Sequence, residues 1–293
     1  MSPDSPSSTS GRSPFVGLLY RVMFFLAALV VVRFVLEVTG TPEAITRFLS
    51  STAGLFLAAI YVAAIAPLRG GMQKFRQLLL PASLLSAWTV VWVIVATIVA
   101  AVFRLERSHF AAKEDYGNWG SLGRHLVDHV VEIAVFFIVV LIVMSIVHVL
   151  WRWPVTVGPG AILGVLVIMR YWVEAMGAPA ANAAAWSSTI GVLVSALYLG
   201  AQGPRLGLAA PRRLLIPSFA IAFAWRLWIL LATLLSALVP FYTTHFFDPT
   251  GGRVAVRLAQ FVAGGVVVEG LITGLIVWGI AIWISRATRP ATI

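Results

Sequence analysis

The sequence predicts an all-α, polytopic membrane protein with about eight transmembrane helices arranged as two parallel four-helix tandem repeats. Three observations carry this prediction. The chain of 293 residues is 60% hydrophobic and only 11% charged, against roughly 25% charged in soluble proteins; its apolar stretches are long; and its second half resembles its first. A soluble domain of this size cannot bury so much apolar surface. Soluble globular, disordered and fibrous classes are therefore excluded, and the absence of cysteine excludes disulfide scaffolds and thiolate metal sites.

The chain divides into a short polar segment and eight apolar stretches. Residues 1–14 are rich in Ser and Pro and are expected to be a disordered cytoplasmic N-terminus. A bilayer core of about 30 Å takes around 20 helical residues to cross, and only helices or closed barrels satisfy their backbone groups in lipid. The predicted spans are 16–38, 48–67, 78–103, 126–150, 154–176, 185–203, 213–240 and 257–285.

The loops between these spans predict the orientation. With eight spans, both termini lie on one side, and that side carries eleven basic residues against Asp4 alone. The other side mixes seven basic residues with six acidic ones. The positive-inside rule therefore places both termini in the cytoplasm. The net charge of +10 is explained by this asymmetry rather than by nucleic-acid binding. Arginine far outnumbers lysine among the basic residues. We interpret this bias as a sign of a GC-rich bacterial gene, and we therefore expect a bacterial inner membrane.

An internal duplication appears when the chain is compared with itself at an offset of 137 residues. Fourteen of the 38 ungapped positions in 33–70 recur in 170–207, and many are Gly, Pro or polar residues that hydrophobicity alone does not supply. A shift to an offset of 136 aligns His109 with His245. The predicted units are 15–153 and 154–293.

Each unit holds four spans, so both would enter the membrane in the same direction. The expected relation between them is a pseudo-two-fold axis along the membrane normal, and in transporters built from such parallel repeats the site lies between the halves.

Six charged residues within the spans form two copies of one set. Arg33 and Glu37 are four residues apart on one helical face, and Arg170 and Glu174 repeat them. Intramembrane charges need partners or a water-filled cavity. We therefore expect one set to unite Arg33, Glu37 and Glu132, and the second to unite Arg170, Glu174 and Glu269. Each set is either a structural ion pair or part of a path for substrate or protons.

Other polar residues allow alternative interpretations. Ser50 and Ser187 are expected to cap the helices that follow them, although two such helix starts are also able to face an anion. Arg226 has no counterpart in the first half and is expected to be buried against carbonyls or rings. His125, Asp128, His129 and Glu132 share one helical face and form a weak metal or proton-relay candidate, with an ordinary polar helix entry as the alternative. His109 and His245 are expected in outer loops, with a pH-sensitive or metal-binding pair as the alternative.

The sequence contains no nucleotide-binding loop, no protease histidine motif and no lysine within a span, and His148 has no histidine partner for haem. No cofactor is predicted. The favoured function is passage of a small solute or ion between the two halves, with the lipid bilayer as the surrounding partner. A non-transporting subunit or scaffold bound to other membrane subunits is the alternative. A membrane-embedded metal-dependent enzyme is the least favoured.

Overall fold

The computed structural model describes residues 14–238, 244–247 and 254–288 and is all-helical. These residues contain eight helices long and apolar enough to cross a membrane, which confirms the predicted number. They contain no β-strand, only an isolated antiparallel bridge between Thr244 and Phe247. The predicted polar segment 1–14 lies outside the described residues, apart from Pro14, where the first helix begins.

The helices follow the predicted stretches with small shifts at their ends. The fourth span begins earlier than predicted, at Trp119, because Asn118 caps it by accepting a hydrogen bond from the backbone N–H of Ser121 at 3.1 Å. The last span continues through a π-helical segment, Phe261–Val268. The α-helices are α1 Pro14–Val38, α2 Glu43–Thr46, α3 Ser51–Ile65, α4 Leu79–Val102, α5 Trp119–Leu150, α6 Val157–Ala175, α7 Ala180–Ala184, α8 Ser188–Gln202, α9 Pro211–Leu238, α10 Val254–Gln260 and α11 Glu269–Ala287.

The long helices pack as two groups. Helices α1, α3, α4 and α5 pack against one another, and so do α6, α8, α9 and α11. Close approach between α3 and α1 depends on Gly54, since a Cβ there would lie 2.4 Å from the side chain of Leu29. Gly191 brings α8 equally close to α6, where an added Cβ would lie 2.6 Å from Leu166.

The two groups meet through different faces. Helices α3 and α5 of the first group pack against α6 and α9 of the second. A two-fold axis would require comparable packing of α8 and α11 on α1 and α4, and the described residues show none. The expected pseudo-two-fold relation is therefore wrong: the contact joins two unlike faces, as in a head-to-tail association.

One end of the bundle gathers the polar side chains. Helices α1, α4 and α6 end there, and α3 and α5 begin there. The connections 39–50, 103–118 and 176–187 lie at this end, whereas the short connections after α3, α5 and α8 lie at the opposite end. This segregation follows from chain direction alone, because successive long helices run antiparallel.

Candidate functional site

A polar cavity of about 910 Å³ opens at the end of the bundle where α1, α4 and α6 end. Its walls come mostly from the first helix group, with the end of α6 completing one side. This cavity does not lie between two equivalent halves, because the first group and its connections supply its ionisable lining. A solute site between the halves stays a prediction. The ionisable lining residues are Arg33, Glu37, Glu43, Arg47, Glu106, Arg107, His109, His125, His129 and Glu132.

Glu37 stands at the centre of a three-residue cluster at the end of α1. Its Oε1 accepts a hydrogen bond from Arg33 Nε at 3.0 Å, one helical turn earlier. Its Oε2 accepts the backbone N–H of His109 at 3.1 Å and lies 2.6 Å from His109 Nδ1. Both carboxylate oxygens are thus engaged, and Glu37 is buried. We call Arg33, Glu37 and His109 the first clamp, because they tie α1 to the connection between α4 and α5.

The same arrangement recurs in the second helix group. Glu174 Oε1 accepts from Arg170 Nε at 3.1 Å, while Oε2 accepts the backbone N–H of His245 at 3.0 Å and lies 2.6 Å from His245 Nδ1. The distances match those of the first clamp within 0.1 Å. We call Arg170, Glu174 and His245 the second clamp.

Aromatic rings cover both clamps in the same way. The ring of His109 lies 4.0 Å from that of Phe110, which packs 6.0 Å from Phe34 on α1. In the second clamp, the ring of His245 lies 4.0 Å from that of Phe246, and Phe246 packs 6.3 Å from Tyr171 on α6. Each clamp is therefore sealed on one side by rings at matching distances.

The expected contacts of the two clamps with Glu132 and Glu269 are wrong. Among the described residues no ion pair joins Arg33 to Glu132 or Arg170 to Glu269. Glu132 instead lies 2.8 Å from His129 Nδ1, and Glu269 pairs with Arg226. Arg33, Glu37 and Glu132 nevertheless line the same cavity.

The third members of the clamps, His109 and His245, were expected only as loop histidines. The signal that identifies them was present in the sequence, because both histidines recur together with Arg33, Glu37 and their second-half counterparts.

Arg226 lies in the surroundings expected for it. Its guanidinium carbon lies 4.2 Å from the ring centroid of Trp225, and one Nη lies 2.5 Å from Glu269. Its buried Nε has no hydrogen-bond partner among the residues that the structure describes. At the position that matches Glu269, the first helix group has Glu132 with a histidine partner in place of an arginine.

The ring of His129 has a polar contact at each of its two nitrogens. The hydroxyl of Thr97 donates its one hydrogen to the carbonyl of Val93 at 2.9 Å, so it is an acceptor toward His129 Nε2 at 3.3 Å. His129 Nδ1 faces the Glu132 carboxylate at 2.8 Å. A carboxylate only accepts. His129 therefore links Thr97 on α4 to Glu132, one turn along its own helix α5.

The candidate metal ligands on α5 are only partly brought together. His125 Nδ1 lies 2.8 Å from Asp115, and the rings of His125 and His129 lie 4.8 Å apart. Asp128 is exposed and does not line the cavity. In the described part of the chain, no group of three or more His, Asp or Glu side chains has a geometry that could hold a metal ion. The geometry here is that of a hydrogen-bonded polar helix entry.

Asp115 anchors this helix entry from outside the spans. Burial alone would raise its pKa, but hydrogen bonds from His125, from the Ser121 hydroxyl and from the Ala112 backbone N–H outweigh burial and lower the pKa of the carboxyl below its ordinary value. The Asp115 carboxylate is therefore ionised at neutral pH and fixes the ring of His125.

The predicted helix caps differ between the halves. The hydroxyl of Ser50 accepts a hydrogen bond from the backbone N–H of Ala53 at 3.3 Å, so its capping role is confirmed. The side chain of Ser187 makes no capping bond to α8. Ser50 also lines the cavity.

Most of the polar lining is confined to the first half of the sequence. Thr41, Glu43, Thr46 and Arg47 line the cavity, and at an offset of 137 residues all four positions are alanine, namely Ala178, Ala180, Ala183 and Ala184. The clamps are present in both halves, whereas this lining is present in one. Sequence reasoning missed Glu43, Arg47, Glu106 and Arg107 because it looked for charges that recur, and these do not. Comparison of the chain with models of protein families, with characterised proteins and with solved structures gives no significant match.

Proposed function

We propose that this chain is a bacterial inner-membrane transporter or channel, in which the polar cavity receives a small solute or ion. We further propose that it consists of two parallel four-helix repeats with both termini in the cytoplasm. On this orientation the cavity faces the outside, since it lies at the end of the bundle opposite the termini and the basic loops.

The repeat is supported by the positions of the helix ends. The ends of α1 and α5, at residues 38 and 150, match those of α6 and α11, at 175 and 287, at an offset of 137 residues. Both halves also hold a left-handed glycine with the same backbone angles, φ 77° and ψ 12°, at Gly70 and Gly207. Since backbone angles and helix ends do not follow from hydrophobicity, their recurrence favours duplication of one unit.

The observation that carries the function is the one-sided polar lining. The second half of the chain serves as an internal control for the first. Because both halves keep the clamps, we infer that the clamps are needed for the fold. Among the described residues, the charged lining of the cavity comes from the first half. Glu132, which also lines the cavity, lies within the apolar helix α5, where a charge is costly unless it faces water, a partner or a solute. This supports a site that a hydrophilic ligand enters.

The floor of the cavity carries one polar pair. Glu132 and His129 are hydrogen-bonded to each other there. Below them the ring of Phe136 packs edge-on against Phe56 at 6.4 Å, and both rings belong to the apolar interior. The structure thus has the form of a cavity open at one end and closed at the other, which is the form of one state of an alternating-access cycle.

The alternative of a non-transporting subunit or scaffold is favoured by one observation. Both oxygens of Glu37 and of Glu174 are occupied by partners within the chain. The clamps by themselves therefore fasten helices and leave no carboxylate oxygen for a substrate. On this alternative the cavity would receive a side chain of another membrane subunit.

A ligand screen followed by uptake distinguishes the two. The purified protein is screened by thermal shift against amino acids, carboxylates, sugars, phosphate and monovalent cations, and stabilising compounds are tested in proteoliposomes loaded with a pH-sensitive dye. We expect uptake by the wild type, loss of uptake in Glu132→Gln, and retention in Asp128→Asn, a matched change on the same helix outside the cavity. If every compound entered the proteoliposomes no faster than it enters liposomes without protein, transport would be rejected and the subunit role would be favoured.

A further inference from the structure

The two helix groups contact each other through two different faces. Because each group carries its own copy of both faces on the proposed duplication, one copy of each face is not used in the contact between the groups. Inside the chain, α3 and α5 supply one face and α6 and α9 the other. The counterparts of the first face are α8 and α11, and the counterparts of the second are α1 and α4. These counterparts lie on the outside of the chain. We propose that they dock on each other between chains, so that α8 and α11 of one copy pack against α1 and α4 of a second copy.

The internal contact shows what such docking requires. The side chain of Ile60 on α3 reaches α6 at Gly164, where its Cδ1 lies 3.1 Å from the position that a Cβ would occupy. Ile60 is 2% exposed. Its counterpart on α8 is Leu197, an equally large apolar residue that is 45% exposed. The projecting residue is thus covered in one half and uncovered in the other.

The receiving face shows the same difference. On α6, Val157 and Ile168 are 6% and 3% exposed. Their counterparts on α1, Tyr20 and Val31, are 56% and 41% exposed. These two positions are therefore buried on α6 and exposed on α1.

A groove lies on α1 where the projecting residue would enter. It has a volume of about 570 Å³ and is almost wholly apolar. Ala27, the counterpart of Gly164, lines it together with Ala28 and with Trp92, the counterpart of Trp228. Small residues let helix backbones approach closely in a membrane, where packing rather than hydrophobicity drives association. We expect Leu197 of a second copy to enter this groove in the way that Ile60 packs against Gly164 within the chain.

The geometry favours a second copy over other occupants, because the two open faces are the duplicated counterparts of faces that already fit each other. Both faces span the same depth, since both repeats run in the same direction on the proposed duplication. A head-to-tail contact repeated in one plane closes into a ring when its rotation allows. The inference does not depend on what the cavity binds.

Cross-linking tests the contact directly, because the chain has no cysteine. Ala27→Cys and Leu197→Cys are expressed separately and together, and isolated membranes are oxidised with copper phenanthroline. We expect a covalent dimer only when both variants are present, and a ladder of multimers when both cysteines lie in one chain. A dimer from either single variant would indicate a like-to-like contact and overturn the proposal, as would absence of any cross-link.

Mass measurement in lipid nanodiscs gives an independent test that does not use cysteine. We expect the wild type to be multimeric and Ala28→Trp, which fills the groove, to be monomeric. The matched control is Val35→Trp, an exposed change on α1 outside the groove, which should stay multimeric. A monomeric wild type would mean that lipid covers the groove, and the proposal would be wrong.

Discussion

The backbone N–H and the ring of His109 both bind one oxygen of Glu37, at 3.1 and 2.6 Å, across 72 residues of sequence. This double contact fixes the connection between α4 and α5 to the end of α1. Glu174 holds His245 in the same way across 71 residues. The two carboxylates therefore act as structural anchors for loops that the apolar helix faces cannot hold.

Removing an anchor carboxylate is expected to destabilise the fold. In Glu37→Ala the half-buried Arg33 loses its ion-pair partner and the His109 N–H loses its acceptor. Breaking a buried pair from one side costs about 3–5 kcal/mol, and the 14% exposure of Arg33 places the expected loss at the lower end. Thermal unfolding in detergent micelles measures this loss, and Glu174→Ala should behave alike.

The control for these variants is an ion pair on the surface of the same region. Glu43 accepts from Arg47 at 2.5 Å, but both side chains are largely exposed. Exposed pairs contribute about 0–1 kcal/mol, so Glu43→Ala should barely change the unfolding temperature. Equal losses in the Glu37 and Glu43 variants would contradict the anchoring role.

The stability of the entry to α5 should depend on acid pH through Asp115. Its pKa is lower in the folded protein than in the unfolded chain, so the stabilisation is complete above the ordinary aspartate pKa of about 3.9. It is lost as pH falls through the folded value. Unfolding temperatures measured between pH 7 and pH 3 should therefore drop at the acid end. Asp115→Asn should be less stable at pH 7 and should lose part of this acid-dependent drop. An identical pH profile for the variant would exclude Asp115 as its source.

The sequence was sufficient to predict where the helices lie, but it was insufficient to predict which residues the charged side chains of those helices contact. Each long apolar stretch becomes one span, because lipid permits no other way of satisfying the backbone in so apolar a segment. Arg33 and Glu37 were also paired correctly, since four residues in a helix bring side chains onto one face. Both inferences use only local geometry.

The expected contact between Arg33 and Glu132 shows why helical periodicity does not predict contacts between different helices. Helical periodicity places Glu132 at a similar depth to Arg33, but depth does not decide which side chains meet across a bundle. The loop carrying His109 folds back onto Glu37 and occupies its second oxygen, which leaves Glu132 to His129. In the second half Arg226 is present as a nearer partner for Glu269, so the same recurring glutamate has different contacts in the two halves.

The glycines that follow α3 and α8 should tolerate substitution poorly, because their backbone is in the left-handed conformation. Gly70 and Gly207 both have φ of 77°, and no atom of the described residues lies within 4 Å of an added Cβ at either position. Replacement by alanine therefore costs only the left-handed conformation, about 1–2 kcal/mol. Gly17, inside α1 with equal free space and an ordinary φ, should gain about 0.5–1 kcal/mol on the same change. Thermal unfolding of the three variants measures the difference, and a gain in Gly70→Ala would contradict the turn conformation.

Water access should differ between the two halves at matched depth in the bundle. Val93 lines the cavity on α4, and its counterpart at an offset of 136 residues is Ile229 on α9, which is equally half-buried. In a chain without native cysteine, Val93→Cys should react with a membrane-impermeant cationic thiosulfonate added from outside. The cysteine thiolate attacks the thiosulfonate and displaces sulfinate to form a mixed disulfide, and the thiolate forms readily only where water reaches the sulfur. Ile229→Cys, surrounded by apolar residues, should react at least about tenfold more slowly. Equal rates would mean that the second half holds an aqueous cavity as well, and the one-sided site that supports the proposed function would fall.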